Sequence, residues 1–476
     1  MAERYWIETL GCPKNQVDSD KLVGTLTVDG LEAAGSPEEA DLVVVNTCAF
    51  IEAARQESID TVLALSDVRR HGARLVVTGC MAERYGDELA DALPEVDLVA
   101  PFGASLTGTP TVTGPRPGTP VLLGRKSTPS ASTDPLPSPP LPSFDLLNLP
   151  RPAASAPWSY IKVAEGCDRN CGFCAIPSFR GKQRSRTTAS ILAEVDQLGG
   201  PEGTLREVVL VAQDLSSFAL DRSGGRTEPR LDGPATGGNR PIVELVAAVA
   251  ERVRWTRLLY LYPSTLDDAL VETILATGVP YFDLSLQHVS RPLLKRMRRW
   301  GDGSRFLERI RSIRSLEPTA AFRSSFIIGY PRETEADHDQ LLEWIDEAQL
   351  DWVGFFPFSN EVGTFASGLD GQIPDELVAE RLRECTELQD AITARRREDL
   401  IGATVEVLID APGEGRTYRE APEIDGIVSL PDDLAVGSFV DVVVTGADGP
   451  DLVAELVPRT GPAAGRRMPA STGAAP

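Results

Sequence analysis

The sequence predicts an α/β chain with three folded units: an open parallel α/β sheet, a partial barrel of six β/α repeats, and a small C-terminal β-barrel. Two observations predict this architecture. Apolar runs of strand length alternate with helical patterns over most of the chain, and the C-terminal part has only short strands between Gly, Asp and Pro turns. The changes in composition predict the following units: domains at 1–102, 157–392 and 396–460, a linker at 103–156, and a tail without fixed structure at 461–476.

The first unit contains three strands that each lead into a cysteine. The strands are "RYWIETL", "ADLVVVN" and "ARLVVT", and the cysteines that follow are Cys12, Cys48 and Cys80. Parallel strands place their C-terminal ends at one edge of a sheet, where ligands bind in open α/β folds, so these thiols are expected to converge. The alternative is three buried core thiols, which are common. Each cysteine lies in a strand-end turn rather than inside its apolar run, which favours a site.

The stretch after the first unit changes character. It includes "STPSASTDPLPSPPLPS", which is rich in Pro, Ser and Thr. Such a composition buries too little apolar surface to fold, so the sequence predicts a linker without a fixed structure.

The second unit shows six strand patterns separated by helical ones. The strands are "WSYIKVA", "EVVLVAQ", "RLLYLYP", "FDLSLQ", "RSSFIIGY" and "WVGFFPF". Helical patterns between them include "PIVELVAAVAERV", "LDDALVETILATG" and "ADHDQLLEWIDEAQL". Six β/α repeats predict a partial barrel whose chemistry lies at the C-terminal strand ends.

A group of three cysteines directly follows the first strand of this barrel. Cys167, Cys171 and Cys174 stand in "EGCDRNCGFC", where Gly166 and Gly172 give the loop backbone freedom. Thiolates are soft ligands that suit iron–sulfur clusters or zinc. A structural zinc site needs a fourth Cys or His, but all three histidines are remote in sequence: His71, His288 and His338. A four-iron cluster held by three cysteines instead leaves one iron open for a small molecule, although a zinc knuckle with a distant fourth ligand is the alternative.

Charge limits the class of partner. The chain has 47 Lys and Arg against 70 Asp and Glu, a net charge of −23. Such a field repels nucleic-acid phosphates unless a basic patch is segregated, and it attracts basic proteins. The third unit follows a charged helical segment, "DELVAERLRECTELQDAITARRREDL", and its predicted strands are "ATVEVLID", "YREAPEIDGIVSL" and "SFVDVVVTG". From 401 to 460 it carries twelve acidic residues against three arginines.

The chain shows no run of about 18 apolar residues and no signal peptide at its start, so a cytoplasmic protein without membrane spans is expected. Seven cysteines in such a protein indicate metal ligands or reactive thiols rather than disulfides. Cys385 stands alone in a helical pattern and is expected to be a packed thiol.

"CDRNCGFC" resembles the signature of the radical S-adenosylmethionine (SAM) superfamily, whose partial barrel matches the six repeats. The resemblance implies a [4Fe–4S] cluster whose open iron binds SAM, and a 5′-deoxyadenosyl radical formed from it by one electron. It places Phe173 at a position whose backbone lies near adenine. Five polar residues at strand ends are further candidates to face the cofactor: Gln213, Asp214, Gln287, His288 and Arg323. For His288 a structural role is the alternative.

The first unit sharpens the resemblance. "TLGCPKNQVDSD", "VNTC" and "VTGCMAERY" resemble the N-terminal domain of the methylthiotransferases, radical SAM enzymes with a second four-iron cluster. This resemblance implies that Cys12, Cys48 and Cys80 hold an auxiliary cluster that supplies sulfur, and that no catalytic residue beyond the cluster ligands needs naming. The chain departs from the family pattern where glycine is usual, at Ala219 and Arg332, and has Phe218 where tyrosine is typical.

Two basic stretches are left with weaker expectations. "SFRGKQRSR" carries Arg180, Lys182, Arg184 and Arg186, whose charge would favour reduction of a nearby electron-rich cluster; simple surface solvation is the alternative. The run "RPLLKRMRRW" contains five cations that a solvated helix face also explains: Arg291, Lys295, Arg296, Arg298 and Arg299.

The substrate is predicted from charge and two motifs. The methylthiotransferase family divides between enzymes that modify a tRNA adenosine and enzymes that modify an aspartate of small-subunit ribosomal protein S-twelve. The last unit resembles TRAM, a small β-barrel often used to bind RNA, but its acidity disfavours tRNA and suits a basic ribosomal protein. "TLGCPKNQVDS" and "YREAPEIDG" are also similar to the ribosomal-protein branch.

The sequence therefore predicts a transferase that inserts a methylthio group at the β-carbon of that aspartate, using two [4Fe–4S] clusters and SAM. A flavodoxin- or ferredoxin-type electron donor and a monomeric state are expected with it. A tRNA methylthiotransferase is the first alternative, and a non-catalytic iron–sulfur or RNA-binding scaffold is an alternative of a different class.

Overall fold

The computed structural model describes residues 2–107, 146–199, 203–222 and 240–457. Its N-terminal unit is a parallel sheet of order β2-β1-β3-β4-β5, as predicted for the three main strands, with two short edge strands that the sequence did not predict. The elements are β1 Arg4–Thr9, α1 Pro13–Val28, β2 Glu32–Ala33, β3 Leu42–Thr47, α2 Glu52–Val68, β4 Arg74–Gly79, α3 Cys80–Ala92 and β5 Leu98–Val99.

Strand β3 is the middle strand of this sheet and forms the centre of the unit's core. All six of its residues are buried, since helices cover both faces of the sheet and every side chain of "LVVVNT" meets packing or a hydrogen bond. Asn46 at its end donates to the backbone carbonyl of Asn15 and to the hydroxyl of Ser19, both on α1, which fixes α1 against the C-terminal edge of the sheet.

The second unit is the predicted partial barrel. Its elements are β6 Trp158–Lys162, β7 Ala164–Glu165, α4 Ile176–Phe179, β8 Arg184–Ser185, α5 Thr188–Gly199, β9 Glu207–Val211, α6 Pro241–Ala250, β10 Trp255–Leu258, α7 Asp268–Ala276, β11 Tyr281–Gln287, α8 Arg291–Arg296, α9 Gly303–Leu316, β12 Ala321–Ile328, α10 Glu335–Ala348, β13 Trp352–Pro357 and α11 Asp375–Glu398. Strands β6, β9 and β10 form one parallel sheet, and β11, β12 and β13 form another.

The two half-barrels join just past β10. Leu261 pairs in parallel with Leu284, and its backbone N–H donates to the Asp283 carbonyl at 3.0 Å. All six barrel strands therefore follow one another in chain order around an open barrel, as the sequence predicted. The large apolar core lies between these strands and the surrounding helices. Cys385 is fully buried in α11 within that core, which confirms the packed thiol.

The third unit is a closed barrel of order β14-β15-β16-β18-β17. Its strands are β14 Thr404–Ala411, β15 Glu414–Arg416, β16 Val428–Ser429, β17 Phe439–Asp448 and β18 Asp451–Leu456. The strand predicted over "YREAPEIDGIVSL" is wrong for most of its length, since only Val428 and Ser429 are extended in the sheet. The preceding residues form turns instead, because the Glu420 carboxylate accepts from the backbone and hydroxyl of Thr417.

Buried ion pairs fix the third unit against the N-terminal ends of the barrel strands. Glu207, the first residue of β9, lies within 2.7 Å of Arg257 and 2.9 Å of Arg416, and it is completely buried. The hydroxyl of Tyr281, the first residue of β11, donates to Asp425 at 2.6 Å. The small barrel therefore closes the end of the large barrel that is opposite to the C-terminal strand ends.

The predicted linker falls mostly outside the described residues, as does the predicted tail. Its two ends are described, and they are packed: Leu106 and Leu146 join an apolar cluster on the N-terminal sheet, and Arg151 is buried against the Tyr160 carbonyl. The folded units thus extend past the predicted limits of 102 and 157. No helix among the described residues has the length and apolar character needed to cross a lipid bilayer.

Candidate functional site

The first cysteine trio lies along the C-terminal edge of the N-terminal sheet. Cys12 precedes the first turn of α1, Cys48 follows β3 directly, and Cys80 opens α3 directly after β4. The structure therefore brings the three strand-end turns together as the sequence predicted.

Two glycines allow these turns to approach one another. Gly11 has φ +98°, and a Cβ on it would lie 2.9 Å from the Cβ and 3.1 Å from the Sγ of Cys48. Gly79 has φ +90°, and a Cβ there would lie 2.6 Å from the Thr47 carbonyl. Glycine therefore precedes Cys12 and Cys80 because the backbones pack too closely for a side chain and adopt the left-handed region.

Arg180 of the second unit reaches into this trio. Its guanidinium is buried and donates to the Cys80 Sγ at 2.9 Å and to the Asn15 Oδ1 at 2.8 Å. Asn15 in turn donates to the carbonyls of Leu10 and Thr47, which ties the turns before Cys12 and Cys48 together. One arginine and one asparagine thus cross-link the first trio.

The first trio also borders the inside of the large barrel. The Lys14 ammonium lies 3.3 Å from the ring centroid of Tyr260, which follows β10. Although burial opposes ionisation, the charges of Lys14 and Arg180 lower the pKa of Cys12. Anything bound at the first trio would therefore face the barrel interior.

The second trio lies in the loop between β7 and α4. Gly166 has φ +75°, and a Cβ on it would lie 2.2 Å from the Lys182 carbonyl, so no other residue fits before Cys167. Gly172 is fixed on both sides: its N–H donates to the Met297 carbonyl at 2.8 Å, and its carbonyl accepts from Ala366 at 2.7 Å. The two glycines that the sequence singled out therefore hold the loop against three different parts of the barrel.

Two arginines and a tyrosine line the second trio. The Arg299 guanidinium lies 3.4 Å from the Cys171 Sγ and 4.1 Å from the ring centroid of Tyr262, while Arg169 stacks on the same ring at 3.9 Å. Arg169 also donates to Asp214 at 2.6 Å. Sequence reasoning missed the roles of Tyr262 and Arg169. Only the position of Arg169 between two cysteines hinted at them.

A buried charge network connects the two trios. Glu165 stands two residues before Cys167 and accepts from Arg180 at 2.9 Å, from Lys162 at 2.7 Å and from Gln213 at 2.6 Å. Asp18 on α1 accepts from the same arginine, at 3.2 Å, and from the same lysine. Arg180 therefore contacts a first-trio thiol at one end and the strand before the second trio at the other, so a single network of charges holds both trios in register.

The thiols have the chemistry of ligands for a positively charged group. Burial raises the pKa of Cys48, Cys167 and Cys174 to about 12, with neighbouring cysteines adding repulsion. Such thiols ionise only against a strong positive charge, which the iron of a cluster supplies. No three Cys, His, Asp or Glu among the described residues are spaced to hold a single metal ion. The three cysteine thiols of each trio are the soft ligands that iron–sulfur clusters take, so the residue types fit a cluster.

The candidate cofactor contacts have different surroundings. Gln213 points to Glu165, and its Oε1 is buried without a partner among the described residues. Gln287 ends β11 at φ +73°, a strained position of the kind often found at functional sites. Phe173 packs against the large core. Arg323 lies near the N-terminal end of β12, between Asp283 at 3.3 Å and Asp425 at 3.4 Å, contacts that do not support a cofactor role.

The cations after the cysteine loop separate into different roles. Arg186 is buried and pairs with Glu194, while its other guanidinium nitrogen donates to the Ser190 carbonyl. No hydrogen bond or ion pair in the described structure joins Arg184 or Arg186 to a cysteine. The cation that contacts a candidate ligand is Arg180, and it does so at the first trio rather than the second.

His288 is a core residue. It is fully buried, and its Nδ1 accepts from the Ser290 N–H at 3.0 Å. Burial lowers its pKa from 6.5 to about 4, with His338 and Arg381 acting in the same direction and Asp337 against it. No hydrogen bond in the described structure joins His288 to a cysteine, and its predicted position facing the cofactor stays a prediction.

This histidine should make the fold sensitive to acid. The unfolded chain binds a proton near pH 6.5 and the folded chain only near pH 4, so stability is full above pH 6.5 and falls as the pH drops through that interval. Between pH 7.5 and 5 the loss from this residue should be about 2 kcal/mol. His288→Asn keeps an acceptor for Ser290 without the titration. In denaturant unfolding, the variant should lose less stability than the parent over this interval, and equal losses would contradict the assignment.

The two departures from family glycines fall on left-handed backbone. Ala219 has φ +61° and Arg332 has φ +66°, positions where a Cβ is strained. We therefore expect Ala219→Gly to raise the free energy of unfolding by about 1 kcal/mol. Ala247→Gly, at an exposed position inside α6, is the matched control and should lower it by about 1 kcal/mol. Equal changes at both sites, measured by thermal melting, would show that strain at 219 is not the cause.

Besides Arg180 and Lys14, the loop after β13 also holds the N-terminal unit over the barrel mouth. Glu361, in the loop after β13, is almost fully buried and pairs with Arg55 and Arg84 of the N-terminal unit, each at 2.7 Å. The Ser359 hydroxyl accepts from the backbone N–H of Glu52 at 3.1 Å. The first trio is therefore fixed from the α2 and α3 side as well as through Arg180.

Comparisons with known proteins agree with this layout. Residues 4–101 match the uncharacterized protein family UPF0004, residues 161–345 the radical SAM superfamily, and residues 401–457 the TRAM domain. The chain is 40% identical to the ribosomal protein uS12 methylthiotransferase RimO of Cutibacterium acnes, over 94% of this chain and 96% of the relative. It is 41% identical to RimO of Salinispora tropica, over 95% of both chains, and 39% identical to that of Moorella thermoacetica, over 93% and 96%.

Proposed function

The chain belongs to the RimO family of radical SAM methylthiotransferases, and we propose that it transfers a methylthio group to the β-carbon of one aspartate in ribosomal protein uS12. The observation that carries this proposal is the pairing of two three-cysteine sites through one buried network. Arg180 contacts the Cys80 thiol and the Glu165 carboxylate within 2.9 Å of each. An enzyme that forms a carbon radical at one centre and delivers sulfur from another needs such a fixed relation between them.

We propose that each of the two cysteine trios holds one [4Fe–4S] cluster, in which one iron lacks a protein ligand. Cys12, Cys48 and Cys80 would hold the auxiliary cluster, and Cys167, Cys171 and Cys174 the SAM-binding one. In this family, a reduced cluster and SAM supply a 5′-deoxyadenosyl radical that removes hydrogen from carbon. The chain's own residues position these groups: Arg180 and Lys14 place positive charge at the first trio, and Arg299 does so at the second.

For the SAM contacts we propose Gln213, Gln287 and Phe173. Gln213 offers a buried amide oxygen that has no partner among the described residues, and Gln287 lies at the C-terminal end of its strand, where barrel enzymes bind their ligands. Arg323 was predicted with them, but Asp283 and Asp425 hold it near the N-terminal end of β12, so we leave it out of the proposed set.

The surface of the last unit supports a basic protein as substrate rather than tRNA. Over 401–457 no basic residue is exposed, since Arg416 is buried and Arg419 only partly accessible. Seven acidic residues of this segment are exposed: Glu414, Glu423, Asp432, Asp433, Asp441, Asp448 and Glu455. This acidic surface would repel a phosphate backbone and attract a cationic ribosomal protein.

The proposal also covers the oligomeric state, the cellular compartment and the electron donor. We propose a monomeric enzyme that works in the cytoplasm, where small ribosomal subunits are assembled. Its electron donor would be a flavodoxin- or ferredoxin-type protein.

Mass spectrometry of uS12 tests the proposal. Small-subunit proteins from cells with the gene should carry a methylthio group on one aspartate of uS12, and cells without the gene should lack it. A methylthio group that is missing from tRNA instead would favour the tRNA alternative. Anaerobically reconstituted protein with SAM and dithionite should also yield 5′-deoxyadenosine, whereas a non-catalytic scaffold would yield none.

A further inference from the structure

The run of cations around α8 is one feature that the proposed function leaves unused. Arg291, Lys295 and Arg298 are exposed, and no ion pair joins any of them to an acidic residue in the described structure. Most other exposed arginines on this acidic chain do have a carboxylate partner, as Arg311 and Arg383 do. Three unpaired cations close together are therefore a local positive patch on a molecule of net charge −23.

Exposed apolar side chains adjoin the patch at Arg298. The Arg298 guanidinium stacks on the Phe365 ring at 3.8 Å from its centroid, and this ring is 42% exposed. Val362, in the same loop, is 82% exposed. An apolar centre with a charged rim is the usual composition of a protein–protein interface. A phosphate backbone would make no use of the apolar centre.

The patch lies directly outside the second cysteine trio. Gly172, between Cys171 and Cys174, donates its N–H to the Met297 carbonyl, one residue before Arg298. A Cβ on Gly172 would lie 3.1 Å from the Phe365 ring and 3.2 Å from the Arg296 carbonyl. A protein that covered Phe365 and Arg298 would therefore be separated from the cysteine loop by a single layer of residues.

We propose that the surface formed by Arg291, Lys295, Arg298, Val362 and Phe365, here called the α8 patch, is the docking site of a small acidic electron-carrier protein. The proposal rests on the proposed function, because it assigns to a surface the electron donor that the function requires. The bound carrier is oxidised by one electron, which passes inward to the metal site of the second trio. The basic substrate protein would be repelled here and would bind the acidic surface of the C-terminal unit instead.

The test compares two variants of equal charge. Arg291→Glu/Lys295→Glu/Arg298→Glu reverses the α8 patch, and Arg254→Glu/Arg311→Glu/Arg383→Glu reverses three arginines that are more than half exposed elsewhere on the second unit. Binding of a purified acidic flavodoxin is measured at low and high salt, together with the rate of 5′-deoxyadenosine formation with flavodoxin hydroquinone or with dithionite. The single variant Lys295→Glu provides the same measurements if the triple variant does not fold.

Reversal of the α8 patch should weaken flavodoxin binding ~10-fold or more at low salt and reduce its salt dependence, and the control variant should bind like the parent. Flavodoxin-driven cleavage should fall in parallel, while dithionite-driven cleavage stays unchanged. Equal flavodoxin affinity in both variants would overturn the proposal. So would normal flavodoxin binding combined with lost affinity for small-subunit RNA, which would assign the patch to RNA. Failure of the parent to cleave SAM with dithionite would instead contradict the proposed function.

Discussion

Replacing Cys174 by alanine should abolish formation of 5′-deoxyadenosine, whereas Cys80→Ala should retain measurable cleavage of SAM and lose transfer of the methylthio group. The reason is that the two residues belong to separate trios, one in the loop after β7 and one at the start of α3. Each variant should lose about half of the iron that the parent binds on anaerobic reconstitution. Iron analysis, electron paramagnetic resonance and product chromatography measure these three outcomes.

Cys385→Ala is the matched control, because this cysteine is fully buried in α11 and belongs to neither trio. It should keep the iron content and both activities of the parent. The Cys80 and Cys174 variants could each keep half of the iron and still lose both activities equally. That result would refute the assignment of two separate sites.

Arg180→Met should destabilise the protein by about 3–5 kcal/mol, the loss expected when one partner of a buried ion pair is removed. This arginine is buried and pairs with Asp18 and Glu165, both of which are themselves buried. Its removal leaves the two carboxylates with Lys162 as their remaining cation. The substitution also removes the hydrogen bond that the guanidinium donates to the Cys80 sulfur. Because Arg180 crosses from the second unit to the first, the N-terminal unit should also loosen.

Denaturant unfolding gives the change in stability, and limited proteolysis after the N-terminal unit reports its loosening. Lys182→Met is the control, because Lys182 is exposed two residues away and should change stability by less than about 0.5 kcal/mol. Arg180→Lys should recover only part of the loss, since one ammonium cannot reach the Cys80 thiol and the two carboxylates in the planar geometry of a guanidinium. A loss below about 1 kcal/mol for Arg180→Met would mean that the network is not structural.

The N-terminal sheet and the large barrel could be predicted from the sequence because their strands are buried on both faces or bounded by clear helical patterns. "ADLVVVN" predicts β3 almost to the residue. The short strands β2, β5 and β15 were missed because two or three residues show no periodicity. "YREAPEIDGIVSL" was misread as a strand because a side chain of its own segment, Glu420, satisfies the backbone that a strand would have paired.

The candidate site, like the fold, could be predicted only in part. The spacing of Cys167, Cys171 and Cys174 is local, so the sequence alone placed them in one loop, and the strand-end positions of the other three followed from the parallel sheet. The charged side chains that contact these cysteines could not be predicted from local sequence patterns. The sequence associated Arg180 with the second trio, which is nearby in the chain, and it gave no reason to place Arg299 on Cys171 across 128 residues.

The sequence by itself therefore determined which segments fold, where six thiols stand, and how acidic the last unit is, since each of these depends on short-range pattern or composition. Only the tertiary structure decided that Arg180 binds Cys80 and that Glu207 pairs with Arg416 of the small barrel. It also decided that cations with no acidic partner in the described part of the chain border the cysteine loop. The physical reason is that hydrophobic periodicity specifies which face of an element is buried but not what packs against it. A long charged side chain finds its partner only after the units have docked.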